Sequence, residues 1–286
     1  MKGLTDVYTM YNGVTIPCVG YGTWQTPDGD VARESTKEAI IAGYRHIDTA
    51  QAYHNEQSVG DGIKEGLAAA GLKREDIFIT TKLWCDRKDY EDTKAAVRES
   101  IEKLGCEYLD LLLIHWPIST PHKDCWQEKN RDAWRAMEDL YKEGVLRAIG
   151  LSNFYVHHID ALNYTVKPMV NQIEIHPGYI QKELVEYCKA NDIVVEAWSP
   201  LGSGAVLNNE FLKGIAQKYN KSVAQLCIRF CLQYGVLPMP KSVHKDRIIQ
   251  NTEVFDFEIS NEDMEAIMNM EQTGWSGLQP DGKLPF

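Results

Sequence analysis

Apolar residues recur along this chain in two alternating rhythms. Short unbroken apolar runs alternate with longer stretches in which apolar positions return every three or four residues. The first rhythm predicts buried strands and the second amphipathic helices. Strands are expected near positions 20, 47, 79, 111, 148, 171, 195 and 237. Helices are expected over about 30–42, 56–70, 90–104, 131–142, 155–162, 181–190, 208–219 and 222–233. Val97, Ile101 and Leu104 form the apolar stripe of the third helix, and Gly62 and Gly66 weaken the second. Before the first strand, Tyr11-Asn12-Gly13-Val14 supplies an Asn-Gly turn and a hairpin over 7–16. After the last strand, a short helix is expected from about His244 and a final one over about 261–270, followed by a Gly-rich aromatic tail.

Successive strands lie roughly 25 to 40 residues apart, the spacing of βα units. Eight units in 286 residues predict an α/β fold of the (β/α)8 TIM-barrel type, one domain over 1–286, with an N-terminal β-hairpin cap and extra C-terminal helices. A doubly wound sheet is disfavoured. No Gly-x-Gly-x-x-Gly follows the first strand, and the units do not divide into two halves.

Composition narrows the function. The net charge of -11 repels phosphate backbones, so no nucleic-acid partner is expected. No apolar run is long enough to span a bilayer, and Met1–Asp6 lacks a signal-peptide core. The seven cysteines are odd in number and scattered, which favours a reducing, cytoplasmic setting. Cys227 and Cys231 share a helix face without a clustered His or Cys partner, so no metal site is expected. A monomer without an obligate protein partner is the expectation, since barrels close on themselves.

The strands stop at chemistry. Arg45–Asp48 runs into Thr49, Tyr53, His54 and Asn55; another strand reaches Lys82, and a third reaches His115. Parallel barrels place ligands at these C-terminal strand ends. A phenol such as Tyr53 can protonate a carbonyl oxygen that is becoming an alkoxide, and a nearby Lys82 would lower its pKa. Asp48 would hold Lys82, and His115 would donate to the substrate oxygen or relay the proton. The plainer alternative is a structural Asp48–Lys82 ion pair beside a pocket-edge histidine. Trp24, Trp84, Trp116 and Trp198 each follow a strand and together suggest an aromatic-walled pocket. The glycines of Gly20-Tyr21-Gly22 allow close backbone approach to a ligand. Lys241 and Arg247 bracket a candidate helix N-terminus, either an anion site or a solvated pair. Glu174 and Glu196 are the best carboxylate pair for glycoside hydrolysis, but Glu196 lies inside a strand and can point away.

From residue 7 to the tail the chain resembles the aldo-keto reductase family. The resemblance rests on Gly43–Ala50 with Tyr53, Asn55 and Glu56, on Thr81–Trp84, Asp110–Pro117, Gly150–Phe154 and Pro240–Ser242. It is closest in appearance to microbial 2,5-diketo-D-gluconate reductase and glyoxal reductase-like members. It implies a barrel that reduces aldehydes and ketones with NADP(H), NAD(H) being weaker, without metal. By that resemblance Asp48, Tyr53, Lys82 and His115 form the catalytic tetrad, Tyr53 being the general acid. Ser152, Asn153 and Gln172 would bind the nicotinamide carboxamide, and Trp198 would stack on the ring. Ser199, Leu201 and Ser203 would clasp the pyrophosphate. Lys241, Ser242 and Arg247 would hold the 2′-phosphate, and Asn251 the adenine. Gly22, Thr23, Trp24 and Val243 complete the expected cofactor-binding set. Gln250 stands where many members carry Glu. Trp24, Tyr53, His54, Trp84, His115 and Trp116 would shape the substrate pocket, open enough for small or varied carbonyls. Two other readings stay open: a cofactor-binding regulatory barrel without turnover, and a lyase or aldolase forming a Schiff base at Lys82.

Overall fold

The structure is a computed structural model that describes residues 1–282. An antiparallel hairpin comes first: β1 (Val7–Thr9) pairs with β2 (Thr15–Pro17), with Tyr8 opposite Ile16. Eight parallel strands follow: β3 (Tyr21–Gly22), β4 (His46–Asp48), β5 (Phe78–Leu83), β6 (Leu111–Ile114), β7 (Ile149–Ser152), β8 (Val170–Glu174), β9 (Val194–Trp198) and β10 (Leu237–Met239). Each neighbours its successor in sequence. Gly20 N–H donates to Pro238 O and Gly22 N–H to Pro240 O, both at 3.0 Å, which joins the first strand to the last. The sheet is a closed barrel and has no free edge.

Helices cover the outside: α1 (Asp30–Ile41), α2 (Glu56–Ala70), α3 (Tyr90–Leu104), α4 (Trp126–Lys142), α5 (Val156–Asp160), α6 (Lys182–Ala190), α7 (Glu210–Lys218) and α8 (Val223–Tyr234). Past β10 lie α9 (Lys245–Gln250) and α10 (Asn261–Met268). The hairpin closes the N-terminal mouth. Its Asn12 amide donates to Arg147 O at 3.1 Å, and Tyr11 Oη donates to Lys167 O at 2.5 Å, both carbonyls lying before strands begin. Ile16 and Met10 are buried in the barrel's apolar core.

Two boundaries differ from the sequence reading. Helix α4 begins at Trp126 rather than near Arg131, because Asn130, Ala133, Trp134 and Met137 extend one buried face back through a polar first turn. Strand β7, expected near 148, covers Ile149–Ser152, so Ser152 is a strand residue. The glycines of α2 fit it tightly to its neighbours: a Cβ on Gly62 would lie 2.4 Å from Arg33 O of α1, and one on Gly60 2.7 Å from Lys103 O of α3.

Strand period fixes the interior. His46 Nε2 meets Thr80 Oγ1 at 2.8 Å, Lys82 meets Asp48, and Gln172 meets Glu196. These contacts place His46 and Asp48 of β4, Thr80 and Lys82 of β5, Gln172 of β8 and Glu196 of β9 on inward-facing positions, the first two pairs each two apart along their strand. Gly20 makes room there, since its Cβ would sit 2.9 Å from His46 Nδ1 and closer still to Met239 Sδ.

Candidate active site

A cleft of about 980 Å³ opens at the C-terminal ends of the strands. Asp48, Tyr53, His115, Gln172 and Trp198 line its floor. Lys82 lies just beneath, with no solvent exposure. Its ammonium donates to Asp48 Oδ2 at 2.5 Å, to Thr49 O at 3.0 Å and to Tyr53 Oη at 3.3 Å. All three protons of the ammonium are committed. Burial pulls the Lys82 pKa down, but Asp48 and Tyr53 outweigh it and leave the group above its usual 10.5.

Tyr53 follows β4 on a short 3-10 turn, Gln51–Tyr53. Burial raises its phenol above the ordinary value of 10.0; Lys82 pulls it down and Asp48 pushes it up. The expected lowering by Lys82 is present, but burial dominates in the free chain. Because Lys82 donates to the phenol oxygen, the phenol hydrogen is free to point into the cleft. His115 packs edge-on against both Tyr53 and Trp84, with ring centroids 5.7 and 5.2 Å away. Burial, then Lys82 and Lys88, hold its pKa well below 6.5, so the ring is neutral. Its Nδ1 has no hydrogen-bond partner among the described residues.

The carboxamide cluster is built from β7, β8 and β9. Asn153, in left-handed backbone at φ 64°, donates to His115 O at 3.0 Å and accepts from the Trp198 indole at 2.8 Å. Ser152 Oγ donates to Gln172 O at 3.0 Å. The Gln172 amide nitrogen donates to Asp48 Oδ1 at 2.9 Å and to Glu196 Oε2 at 2.7 Å. Its carbonyl oxygen is left for the cleft. Along the far arm, the hydroxyls of Ser199 and Ser203 pair at 2.9 Å beside Leu201. Lys241, Ser242, Val243, Arg247 and Asn251 line the end of the same cleft. Arg247 is exposed and forms no salt bridge with any described residue. Lys241 donates to Gln25 O at 3.0 Å.

The expected pocket residues Trp24, His54, Trp84 and Trp116 also line the cleft, as does Gly22. Thr23 does not: it is buried, and its hydroxyl donates to Asp48 O at 3.0 Å, so it braces the backbone at Asp48. Sequence reasoning missed Gln25, Leu207, Lys213 and Leu278 in the lining. Leu278 comes from the tail, which bends back over the barrel with Trp275 stacked on Tyr179 at 5.8 Å. Its Ser276 binds both oxygens of Glu174, at 2.9 and 2.6 Å. Glu174 therefore anchors the tail instead of facing a glycosidic bond. Glu196 does not point away: it is fully buried inside the barrel.

His157, His158 and Asp281 have metal-like spacing. However, His158 Nδ1 accepts the Tyr155 N–H at 3.0 Å, so the ring proton sits on Nε2, which faces Asp281. A metal-bound imidazole carries the opposite arrangement. The trio clasps the tail. Cys227 and Cys231 are both buried, and burial raises both thiols, which makes them poor ligands.

The sequence profile of the Aldo/keto reductase family matches residues 18–272. The chain is 49% identical over 280 residues to glyoxal reductase of Bacillus subtilis, covering 97% of each. It superimposes on a Gox0644 variant solved in complex with NADPH at a TM-score of 0.88, with 39% identity, covering 96% of this chain and 97% of the other. An aldo-keto reductase of Bombyx mori in complex with NADP gives a TM-score of 0.85 at 35% identity, over 98% of this chain and 99% of the other. With a closed (β/α)8 barrel and Asp48, Tyr53, Lys82 and His115 converging at its mouth, this chain belongs to the aldo-keto reductase family.

Proposed function

We propose that this reductase converts small aldehydes and ketones, glyoxals foremost, to alcohols with NADPH, and that Tyr53 is its general acid. One observation carries the assignment of roles: Lys82 donates to Tyr53 Oη from beneath, at 3.3 Å, while Asp48 holds Lys82 at 2.5 Å. The phenol can then donate in one useful direction, toward the cleft.

The residues fit a nicotinamide dinucleotide. Gln172 has spent both amide hydrogens and offers a carbonyl oxygen, the partner a carboxamide N–H needs. Trp198 is held by Asn153 at the cleft wall as a flat platform. Lys241 and Arg247 put cations at the far end of the cleft in a chain of net charge -11, which suits a 2′-phosphate. The cofactor, when bound, supplies the hydride. The chain's own residues do the rest. Tyr53 hydrogen-bonds the substrate oxygen and yields its proton as negative charge develops there. The Lys82 ammonium stabilises the phenolate left behind. Neutral His115 donates a second hydrogen bond to the same oxygen and sheds no proton of its own. Trp24, Trp84 and Trp116 wall the substrate, and with Leu278 at the rim they leave room for small or flat carbonyls.

The Schiff-base alternative is disfavoured. Lys82 is buried, its three protons are committed, and its pKa is raised, whereas a nucleophilic lysine needs a lowered one. The test is loss of 340 nm absorbance with purified protein, NADPH or NADH, and a panel of glyoxals, aromatic aldehydes, keto-sugars and quinones. Carbonyl-dependent oxidation of NADPH is expected, fastest with glyoxals. NADPH binding without turnover on any carbonyl would replace this reading with the regulatory one.

A further inference from the structure

Beneath the tetrad lies an ionisable group that the mechanism above does not use. Glu196 projects from the middle of β9 into the barrel with 0% exposure. It has a single hydrogen-bond partner among the described residues. Its Oε2 accepts the Gln172 amide at 2.7 Å. Its Oε1 has no partner and stands 4.0 Å from His46 Nε2. The same Gln172 nitrogen donates to Asp48 Oδ1 at 2.9 Å. Asp48 binds Lys82, and Lys82 binds Tyr53. An unbroken chain of contacts thus runs from the barrel core to the general acid.

The direction of each bond is determined. Turning the Gln172 oxygen toward Asp48 would set two acceptors against each other, so the nitrogen faces both carboxyls. Two acceptors, from β4 and β9, therefore pin one amide. With one of them gone, the amide loses a restraint on its side-chain torsion, and its carbonyl oxygen is no longer fixed at the cleft floor. A buried amide hydrogen would also be left unpaired.

We propose that Glu196 is a positioning residue of this reductase: in its neutral, protonated form it locks the Gln172 carboxamide, so that the Gln172 oxygen is held ready for the nicotinamide. The inference rests on the NADPH reading above and extends it one layer deeper. Two features support the protonated form. Charged groups face Glu196 from two strands, Asp48 of β4 and Lys82 of β5, but Lys82 is already paired with Asp48. His46 of β4, the remaining titratable neighbour, is kept neutral by burial and by Lys82 and offers no counter-charge. Burial and the nearby Asp48 charge accordingly push the Glu196 carboxyl up to about 8. Its Oε2 accepts from the Gln172 amide in that form.

NADPH affinity, measured by quenching of intrinsic tryptophan fluorescence, tests this directly. Glu196→Leu should weaken NADPH about tenfold and leave the carbonyl KM within about twofold. Glu196→Gln keeps an amide oxygen where Oε2 stands, and should restore wild-type affinity. Gln172→Ala and the Gln172→Ala/Glu196→Leu double variant should bind NADPH equally weakly, because Glu196 acts only through Gln172. Wild-type affinity in Glu196→Leu would overturn the proposal. So would a Glu196→Gln as impaired as Glu196→Leu, or additive losses in the double variant. If Glu196→Leu does not fold, the comparison of Glu196→Gln with wild type decides: weakened NADPH binding would show that an ionised carboxylate is required. Failure of the wild-type protein to bind NADPH would instead sink the cofactor reading itself.

Discussion

Lys82 orients the Tyr53 phenol because each of its three ammonium protons has a defined acceptor. Lys82 spends its protons on Asp48, Thr49 O and Tyr53, and this turns the Tyr53 hydrogen outward. Tyr53→Phe removes that hydrogen together with the oxygen that accepts from Lys82. It should lower kcat for aldehyde reduction by about 100-fold or more, with NADPH affinity within about twofold by fluorescence titration. Unchanged turnover would remove Tyr53 from its role. Arg247 is the complementary case at the far end of the cleft, exposed and without a salt bridge to any described residue. Arg247→Ala should weaken NADPH by about tenfold while NADH changes by less than about twofold, as expected for loss of one charge-assisted phosphate contact. Equal weakening of both dinucleotides would place the phosphate elsewhere.

At the scale of elements, sequence propensity and packing disagree in α2. Gly62 weakens an isolated helix by about 1 kcal/mol relative to Ala, and on that ground Gly62→Ala ought to stabilise. The structure gives the opposite sign. A Cβ there would lie 2.4 Å from Arg33 O and 2.8 Å from Thr36 Cβ, both in α1. Backbone carbonyls cannot swing away, so the helices must part. We expect Gly62→Ala to lower stability by about 1–3 kcal/mol in urea unfolding, and a stabilised variant would show that α1 and α2 can separate freely. The tail shows the same priority of packing over local pattern. Nothing in the composition of Thr273–Leu278 announces a return to the barrel, yet Ser276 on Glu174 and Trp275 on Tyr179 bring Leu278 to the cleft.

Across the whole molecule, the ionisable groups inside the barrel give stability a defined pH dependence. Glu196 is raised from its ordinary 4.5 to about 8. Between those values the native chain keeps a proton that the unfolded chain has released, so this group's contribution falls as pH rises through that window. His46 is lowered from 6.5 to about 3. The unfolded chain there binds the extra proton, so stability falls as pH drops from about 6.5 toward 3. The two slopes oppose each other where they overlap. Glu196→Gln removes only the first. Its Tm should rise from pH 5 to about 6.5 and then hold, whereas in the wild type the two slopes cancel up to about 6.5 and stability then falls toward pH 8 by about 1.4 kcal/mol per pH unit. Parallel Tm profiles for the two proteins would show that Glu196 does not carry its proton in the folded state. No described helix is long and apolar enough to cross a membrane.

The sequence by itself determined the alternation of strand and helix, the count of barrel strands, the hairpin and the polar residues at the strand ends. Those are local signals: helical or strand period, an Asn-Gly turn, an ionisable group where an apolar run stops. Tyr53 and His115 were legible for that reason, and the family motifs then named their partners. The pairing of Glu196 with Gln172 and of Gln172 with Asp48 was not legible. Strands buried on both faces read as continuous apolar runs, so period two cannot show which side chains face inward. Register and barrel closure decide that, and they bring together Asp48 and Gln172 from positions 124 residues apart. The sequence also placed a lysine beside a phenol without showing how the phenol's pKa would settle. Desolvation, a property of the folded barrel alone, outweighs the cation and raises it.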